Sequence, residues 1–177
     1  MKFSRASLLI LLLVLGGCTG MPPGVVPVQN FELQRYLGTW YEIARLDHSF
    51  ERGLEAVTAS YTRNGDGSLA VLNRGYRPQE STWEEAEGVA RFVDEETRAH
   101  LKVSFFGPFY SSYVVFELGE EYEYAFVSGY NRDYLWLLSR TPEVDEAVKA
   151  RFVARAAELG FAVDELLMVD QSRHASP

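Results

Sequence analysis

Trp40 and Arg140 stand about a hundred residues apart, one near the start of an apolar run and the other at the end of another. The first run reads Gly38-Thr39-Trp40-Tyr41-Glu42-Ile43-Ala44-Arg45 and the second Tyr134-Leu135-Trp136-Leu137-Leu138-Ser139-Arg140. An indole offers a broad electron-rich face, and a flat guanidinium packs on such a face with a gain of about 0.5–2 kcal/mol. Side chains at the start of the first strand and the end of the last strand meet only if the sheet closes on itself. The pair therefore predicts a barrel in which each run covers the other's open edge.

Between these runs, strand-like segments alternate with turn signals at the spacing of a sandwich or barrel. The expected strands are 38–47, 55–63, 68–76, 82–93, 98–106, 112–119, 122–129 and 134–140. Asn64-Gly65-Asp66-Gly67 is a hairpin turn, and Gly107-Pro108, Gly119-Glu120-Glu121 and the stretch 129–132 mark other reversals. The segment 48–54 is a longer loop, expected to lie over the open end of a barrel. Residues 31–37 read as a short helical turn. After the last strand, Thr141 is a candidate N-cap with Pro142 at the first helical position. Val144, Ala147, Val148, Phe152, Ala156 and Leu159 form an apolar stripe, and Gly160 suits the residue after the helix. Leu166 to Val169 is a short ninth strand. The fold class is all-β: an eight-stranded antiparallel up-and-down β-barrel with one C-terminal α-helix packed outside. At 177 residues the chain holds one such domain, and its aromatic content of 14% suits strands.

The N-terminus belongs to targeting. Lys2 and Arg5 precede an apolar stretch that is too short to span a bilayer, as in a cleaved signal peptide over residues 1–17. Leu15-Gly16-Gly17-Cys18 resembles the lipobox of bacterial lipoproteins, which implies lipidation at Cys18. Thr19 follows where an inner-membrane retention signal would carry Asp, which implies an outer-membrane anchor facing the periplasm. Cys18 is the sole cysteine, so no internal disulfide and no thiol nucleophile is available to the globular part. Residues 18–30 are expected to be the lipidated cysteine and a flexible Pro/Gly tether, 31–172 the barrel domain and 173–177 a tail. Loss of residues 1–17 leaves fifteen basic against twenty-five acidic residues, a formal charge of −10. Such a surface repels nucleic acid, so no nucleic-acid partner is expected.

Several pieces resemble one family in order and spacing: the run 38–45, Asn73-Arg74-Gly75, Val103-Ser104-Phe105-Phe106-Gly107-Pro108-Phe109, the run 134–142, and Gly160-Phe161. Together they resemble the lipocalins, and more closely the outer-membrane lipoprotein lipocalins of bacteria. The resemblance covers roughly 31–172. It implies that Gly38, Trp40 and Arg140 close the barrel floor and that the interior binds a hydrophobic ligand. Fatty acid or lysophospholipid is the implied ligand class, for storage or transport at the envelope, with the membrane reached through the lipid anchor.

Alternation along strands assigns an inward face. It contains Trp40, Glu42 and Ala44; Val57, Ala59 and Tyr61; Asn73; Ala86, Gly88, Ala90 and Phe92; Leu101, Val103 and Phe105; Tyr113 and Val115; and Tyr134, Trp136 and Leu138. Several members are small, which leaves room that a solid core would fill. The candidate ligand-binding residues are Glu42, Ala44, Val57, Ala59, Asn73, Ala90, Val103, Tyr113 and Trp136. An inward Glu42 needs a partner or a proton. Asp47-His48-Ser49 holds the residue types of a hydrolase triad, but consecutive residues cannot point at one another as that chemistry requires. No His/Cys/Asp/Glu cluster has zinc spacing. No catalytic residue, metal or cofactor is expected, and His100 is expected to face outward. The alternative is an envelope scaffold with a filled barrel. Both faces of the sixth strand look apolar, which leaves a helix contact and a homodimer contact open.

Overall fold

The computed structural model describes residues 19–175; the predicted signal and Cys18 lie outside the described residues. Eight strands form the ring: β1 (Gly38–Leu46), β2 (Glu55–Arg63), β3 (Leu69–Arg77), β4 (Thr82–Phe92), β5 (His100–Phe106), β6 (Phe109–Leu118), β7 (Tyr124–Ser128) and β8 (Leu135–Ser139). Each pairs antiparallel with its sequence neighbour, and β1 pairs with both β2 and β8, which closes the barrel. A short β9 (Leu166–Met168) adds to β1 outside the ring. The helices are α1 (Leu33–Tyr36) at one end, α2 (Glu146–Glu158) against the outer wall and α3 (Ser172–Ala175) near the C-terminus.

The strand pattern matches the expected spans closely. One difference is β6, which begins three residues earlier than expected because Phe106 and Phe109 pair directly across Gly107-Pro108. The helix start also differs. Thr141 does not cap α2: its hydroxyl donates to the Glu143 carbonyl at 2.5 Å, and its backbone N–H donates to Ser139 Oγ at 3.2 Å. These bonds make a separate turn containing Pro142, and the helix begins at Glu146 after Asp145. Ala147, expected in the buried stripe, is exposed as a consequence. Gly160 ends the helix with φ +79°, the left-handed conformation that favours glycine.

Two apolar cores share the barrel wall. The inner one includes Trp40, Tyr61, Leu69, Val71, Leu101, Val115 and Leu138. The outer one lies under α2, where Phe152 meets Phe126 edge-on with ring centroids 5.0 Å apart. The outer face of β6 is covered from within the chain: Phe116 stacks on Phe161 at 6.3 Å, and Val25 joins the same cluster. That face needs no second copy to shield it. Val25 also corrects the expected tether. Residues 22–30 lie along the barrel, with Val25 buried and the Val28 N–H donating to the Val115 carbonyl at 2.9 Å. Burying Val25 compensates the ordering of a Pro/Gly segment that composition alone reads as free.

The closed end is built around Trp40, which is fully buried. Its indole N–H donates to the Tyr36 carbonyl at 2.9 Å, and its ring lies 3.8 Å from the Arg140 guanidinium carbon. Arg140 also donates to the carbonyls of Thr39 at 3.0 Å, Arg35 at 2.6 Å and Tyr122 at 3.3 Å. One side chain thus ties β1, α1 and the β6–β7 turn to the end of β8. Gly38 has φ +91°, and a Cβ there would come within 3.6 Å of Arg140.

At the open end β1 departs from simple alternation. Its register with β8 shifts between Glu42 and Ala44. This bulge turns Ala44 outward into the core under α2, contrary to the expectation that it faces inward. Beyond Tyr41 the pairing with β2 stops, and β1 pairs with β9 instead. The β2–β3 register also shifts, between Glu55 and Thr58, and Ala56 takes φ +51°. Val57 therefore leaves the inner face expected of it and packs beside Leu54 against Gly75. Buried Gln171 fills the gap, its amide donating to the carbonyls of Glu42 at 2.7 Å and Val57 at 2.9 Å.

Arg140→Ala removes a cation–π contact and three hydrogen bonds to backbone carbonyls, a loss of about 2–4 kcal/mol. A thermal melt of the variant is expected several degrees below wild type; superimposable melts would contradict this role.

Candidate functional site

The barrel encloses a cavity of about 110 Å³. On this measure a single water needs roughly 10–15 Å³, so the space accommodates several methylene groups. Its wall carries Ala59, Leu69, Val71, Ala90, Leu101, Val103 and Leu138, with Tyr36, Tyr61 and Tyr113 toward the closed end and Glu42, Glu51, His48, Phe50, Asn73 and Trp136 toward the mouth. A second depression of about 150 Å³ lies at the mouth, and Phe50, Glu51, Asn73 and Phe105 line both spaces. Of the nine expected residues, Glu42, Ala59, Asn73, Ala90, Val103, Tyr113 and Trp136 border the inner cavity. Val57 borders only the mouth depression, and Ala44 neither.

Small residues make the room. Ala59 and Ala90 offer only methyl groups to the cavity, and Gly88 lets the Phe105 ring cross close over its backbone, where a Cβ would meet ring carbons at 2.8 and 2.9 Å. Tyr61 donates to the Tyr113 hydroxyl at 3.0 Å, and Tyr36 and Tyr113 share a hydrogen bond of 2.6 Å. Burial pushes all three phenols above their ordinary values, so they remain neutral donors.

The polar groups concentrate at the mouth. Because the bulge follows Glu42, Arg45 returns to the inside, and its Nη1 donates to Glu42 Oε1 at 2.6 Å with both side chains buried. Arg45 Nη2 donates to the Glu51 carbonyl at 2.8 Å, fastening the 47–54 loop to β1. Glu51 Oε2 accepts the Trp136 indole N–H at 3.1 Å and lies 3.0 Å from His48 Nε2. His48 sits among Phe50, Tyr134 and Trp136, with ring centroids 5.2–6.0 Å away. The loop does lie over the open end, but His48 and Glu51 are buried parts of the cavity wall. Neither was singled out as a site residue from the sequence. Their partners lie on β1 and β8, so spacing carries no signal for them.

Burial and the neighbouring Glu51 carboxylate push Glu42 well above the ordinary carboxylate range, against the pull of Arg45. Burial would raise Glu51 too, but the approach of His48 and the Trp136 N–H more than offset it and hold Glu51 below that range. Two carboxyl groups in one dry network are thus pushed in opposite directions, Glu42 up and Glu51 down. Asn73 Oδ1 is buried in the cavity wall with no hydrogen-bond partner among the described residues. His100 faces outward as expected yet is buried, its Nε2 3.1 Å from Ser112 Oγ.

A barrel closed by one Trp–Arg pair, opening on a small apolar cavity, agrees with the comparisons to known proteins. The model of the lipocalin-like domain matches residues 31–171. The chain belongs to the lipocalin family. Among its lipocalin relatives, the outer membrane lipoprotein Blc of Vibrio cholerae is 59% identical over 169 residues, covering 94% of this chain and 99% of the relative. The Blc of Escherichia coli K12 is 55% identical over 150 residues, 85% of each chain. Insecticyanin from the tobacco hornworm shares the fold, with a TM-score of 0.68 at 20% identity over 85% of this chain and 86% of that one. This lipocalin is an outer-membrane, lipid-anchored protein of the hydrophobic-ligand-binding type.

Glu42 generates a pH prediction. Its folded pKa is raised, so its contribution to stability is fully present below the unfolded carboxylate value of about 4.3 and is lost as pH rises through the folded value. Urea unfolding from mildly acidic to mildly alkaline pH should show wild type losing more stability with rising pH than Glu42→Gln. Equal slopes would mean that Glu42 is ionised throughout.

Proposed function

We propose that this lipocalin, acylated at Cys18, binds a single-chain lipid in its barrel and stores or carries it at the outer membrane. Fatty acid and lysophospholipid are the ligand classes that fit. The observation that supports this most is the cavity itself: small, walled mainly by apolar side chains, with polar groups at its closed end and its mouth. An acyl chain would run along Val71, Ala90, Leu101, Val103 and Leu138, exchanging water contact for close packing. Its polar end would stay at the mouth, where Asn73 Oδ1 is an unengaged acceptor and Arg45, Glu51 and Trp136 are already held in place. The proposed ligand contacts are thus Glu42, Ala59, Asn73, Ala90, Val103, Tyr113 and Trp136, with Glu51 and His48 added.

The role is binding, not turnover. His48 and Glu51 approach each other, but Ser49 belongs to the same three-residue stretch as His48 and completes no nucleophilic arrangement with it. The cavity speaks against the filled-barrel scaffold.

Native mass spectrometry of the mature lipoprotein, after mixing with envelope lipid extract, tests this reading. A stoichiometric acyl lipid is expected on wild type and should be lost from Ala59→Phe, whose ring would occupy the cavity, while the variant still melts cooperatively. A wild-type protein that stays lipid-free under conditions that preserve folding would remove the binding reading.

A further inference from the structure

The closed end of the cavity holds three phenols from three different elements: Tyr36 on α1, Tyr61 on β2 and Tyr113 on β6. Tyr61 donates to the Tyr113 oxygen at 3.0 Å, and a single proton bridges Tyr36 and Tyr113 at 2.6 Å. Among the described residues no other hydrogen bond reaches these oxygens. Burial holds all three phenols above their ordinary values, so each carries its proton at neutral pH. Three O–H donors thus share two hydrogen bonds, and one proton has no acceptor.

The surroundings decide which oxygen carries that proton. If Tyr113 donated to Tyr36, the spare proton would sit on Tyr36, which is 2% exposed and packed among the rings of Phe31, Trp40 and Tyr61. A buried donor without an acceptor loses its water and gains nothing in return. If Tyr36 donates, the spare proton sits on Tyr113. That side chain packs inside the barrel and is only half-buried, so the surface it leaves open is cavity surface. The Tyr113 oxygen then accepts from both Tyr36 and Tyr61, which uses its two lone pairs. Toward the cavity it can only donate. At the mouth, by contrast, the free group is an acceptor, Asn73 Oδ1.

We propose that the Tyr113 hydroxyl is a ligand-binding donor that takes an uncharged oxygen on the inner part of the bound chain, so that the preferred ligand is a single-chain lipid bearing a hydroxyl or keto group there. This rests on the reading of the barrel as a lipid-binding cavity and narrows its ligand class. A plain hydrocarbon end leaves the Tyr113 donor dry and unpaired. A carboxylate in the same place would have to shed its water among apolar walls that already keep three phenols neutral. An uncharged hydroxyl or ketone sheds less water and accepts the one proton on offer. The charged or polar head of the same lipid stays at the mouth, where Asn73 lies.

The test measures the affinity of the mature lipoprotein, in non-ionic detergent, for palmitate and for palmitates carrying one keto group at successive carbons, each corrected for partition into micelles. A ketone accepts without donating, which isolates the contact. One keto position is expected to bind about three- to tenfold tighter than palmitate, the gain of one net hydrogen bond. The isotope-labelled ketone stretch of that bound compound should fall below its value in hexane. Tyr61→Phe leaves the Tyr113 donor and should keep the preference, whereas Tyr61→Phe combined with Tyr113→Phe should abolish it and still bind palmitate. Keto palmitates that bind no tighter at any position overturn the proposal. So does a preference that survives in the double variant, or an unshifted ketone stretch, which means that Tyr113 donates to a buried water. If the double variant does not melt cooperatively, the infrared shift on wild type decides alone. Palmitate bound without any keto preference removes this proposal only; no binding of palmitate or of any keto analogue removes the lipid-binding reading with it.

Discussion

Closure through β1 governs this molecule. A sheet of eight strands leaves two edges of unpaired N–H and C=O groups, and a barrel removes both only if one strand serves two partners. Here β1 does more. Residues 38–41 pair with β2 and residues 41–45 with β8, and from Ala44 onward β9 takes the side that β2 has left. Trp40 and Arg140 hold the floor one residue beyond the last β1–β8 pair, Tyr41 with Ser139. Gln171 repairs the half where β1 and β2 part, supplying amide donors that two separated carbonyls would otherwise lack. The barrel is therefore closed by the Trp40–Arg140 contact at the floor and by buried side-chain hydrogen bonds at the mouth, where the cavity opens.

That asymmetry explains which residues could be read from the sequence. The floor follows simple rules. Trp40, Arg140, the hairpin glycines and the strict alternation of β3, β4 and β5 give the ring, its order and most of the lining, including Ala59, Ala90 and Val103. At the mouth one extra residue reverses an entire face, so Ala44 and Arg45 exchange sides relative to strict alternation. Nothing in the local sequence of Glu42-Ile43-Ala44 announces the bulge; it is set by the partners of β1. The parts played by His48, Glu51 and Gln171 are not legible in the sequence, because they exist only through contacts with distant strands. Thr141 and Pro142 followed the rule for helix starts and still formed a turn, because Ser139 and Glu143 offered the Thr141 side chain and N–H other partners.

The bulge also decides the electrostatics. Had β1 continued in register, Arg45 would point toward α2 and Glu42 would be a lone carboxyl in an apolar barrel. Turning Arg45 inward gives Glu42 a partner and clamps the 47–54 loop through the Glu51 carbonyl. The cost is that Glu51 enters the same dry region, and two carboxyl groups there cannot both ionise cheaply. Glu42 is pushed up, and Glu51 is held down by His48 and Trp136. A network of this kind is weak evidence for stability, but it fixes geometry: each member constrains a loop or strand that borders the mouth.

Fixed polar groups beside an apolar channel are what distinguish a site from a defect in packing. Rigid closure at the floor keeps the small residues of β2, β3 and β4 from collapsing onto one another, since the ring cannot narrow without breaking its register. The cavity is then maintained by the covalent order of the strands and not by a ligand, and binding need not pay for opening it. The mouth network adds orientation: in the proposed binding mode an acyl chain lies along the apolar wall and keeps its polar end beside the hydrogen-bonding atoms of the rim. Floor, bulge and network thus act in series, each making the next useful, and the first of them is the contact of one indole with one guanidinium.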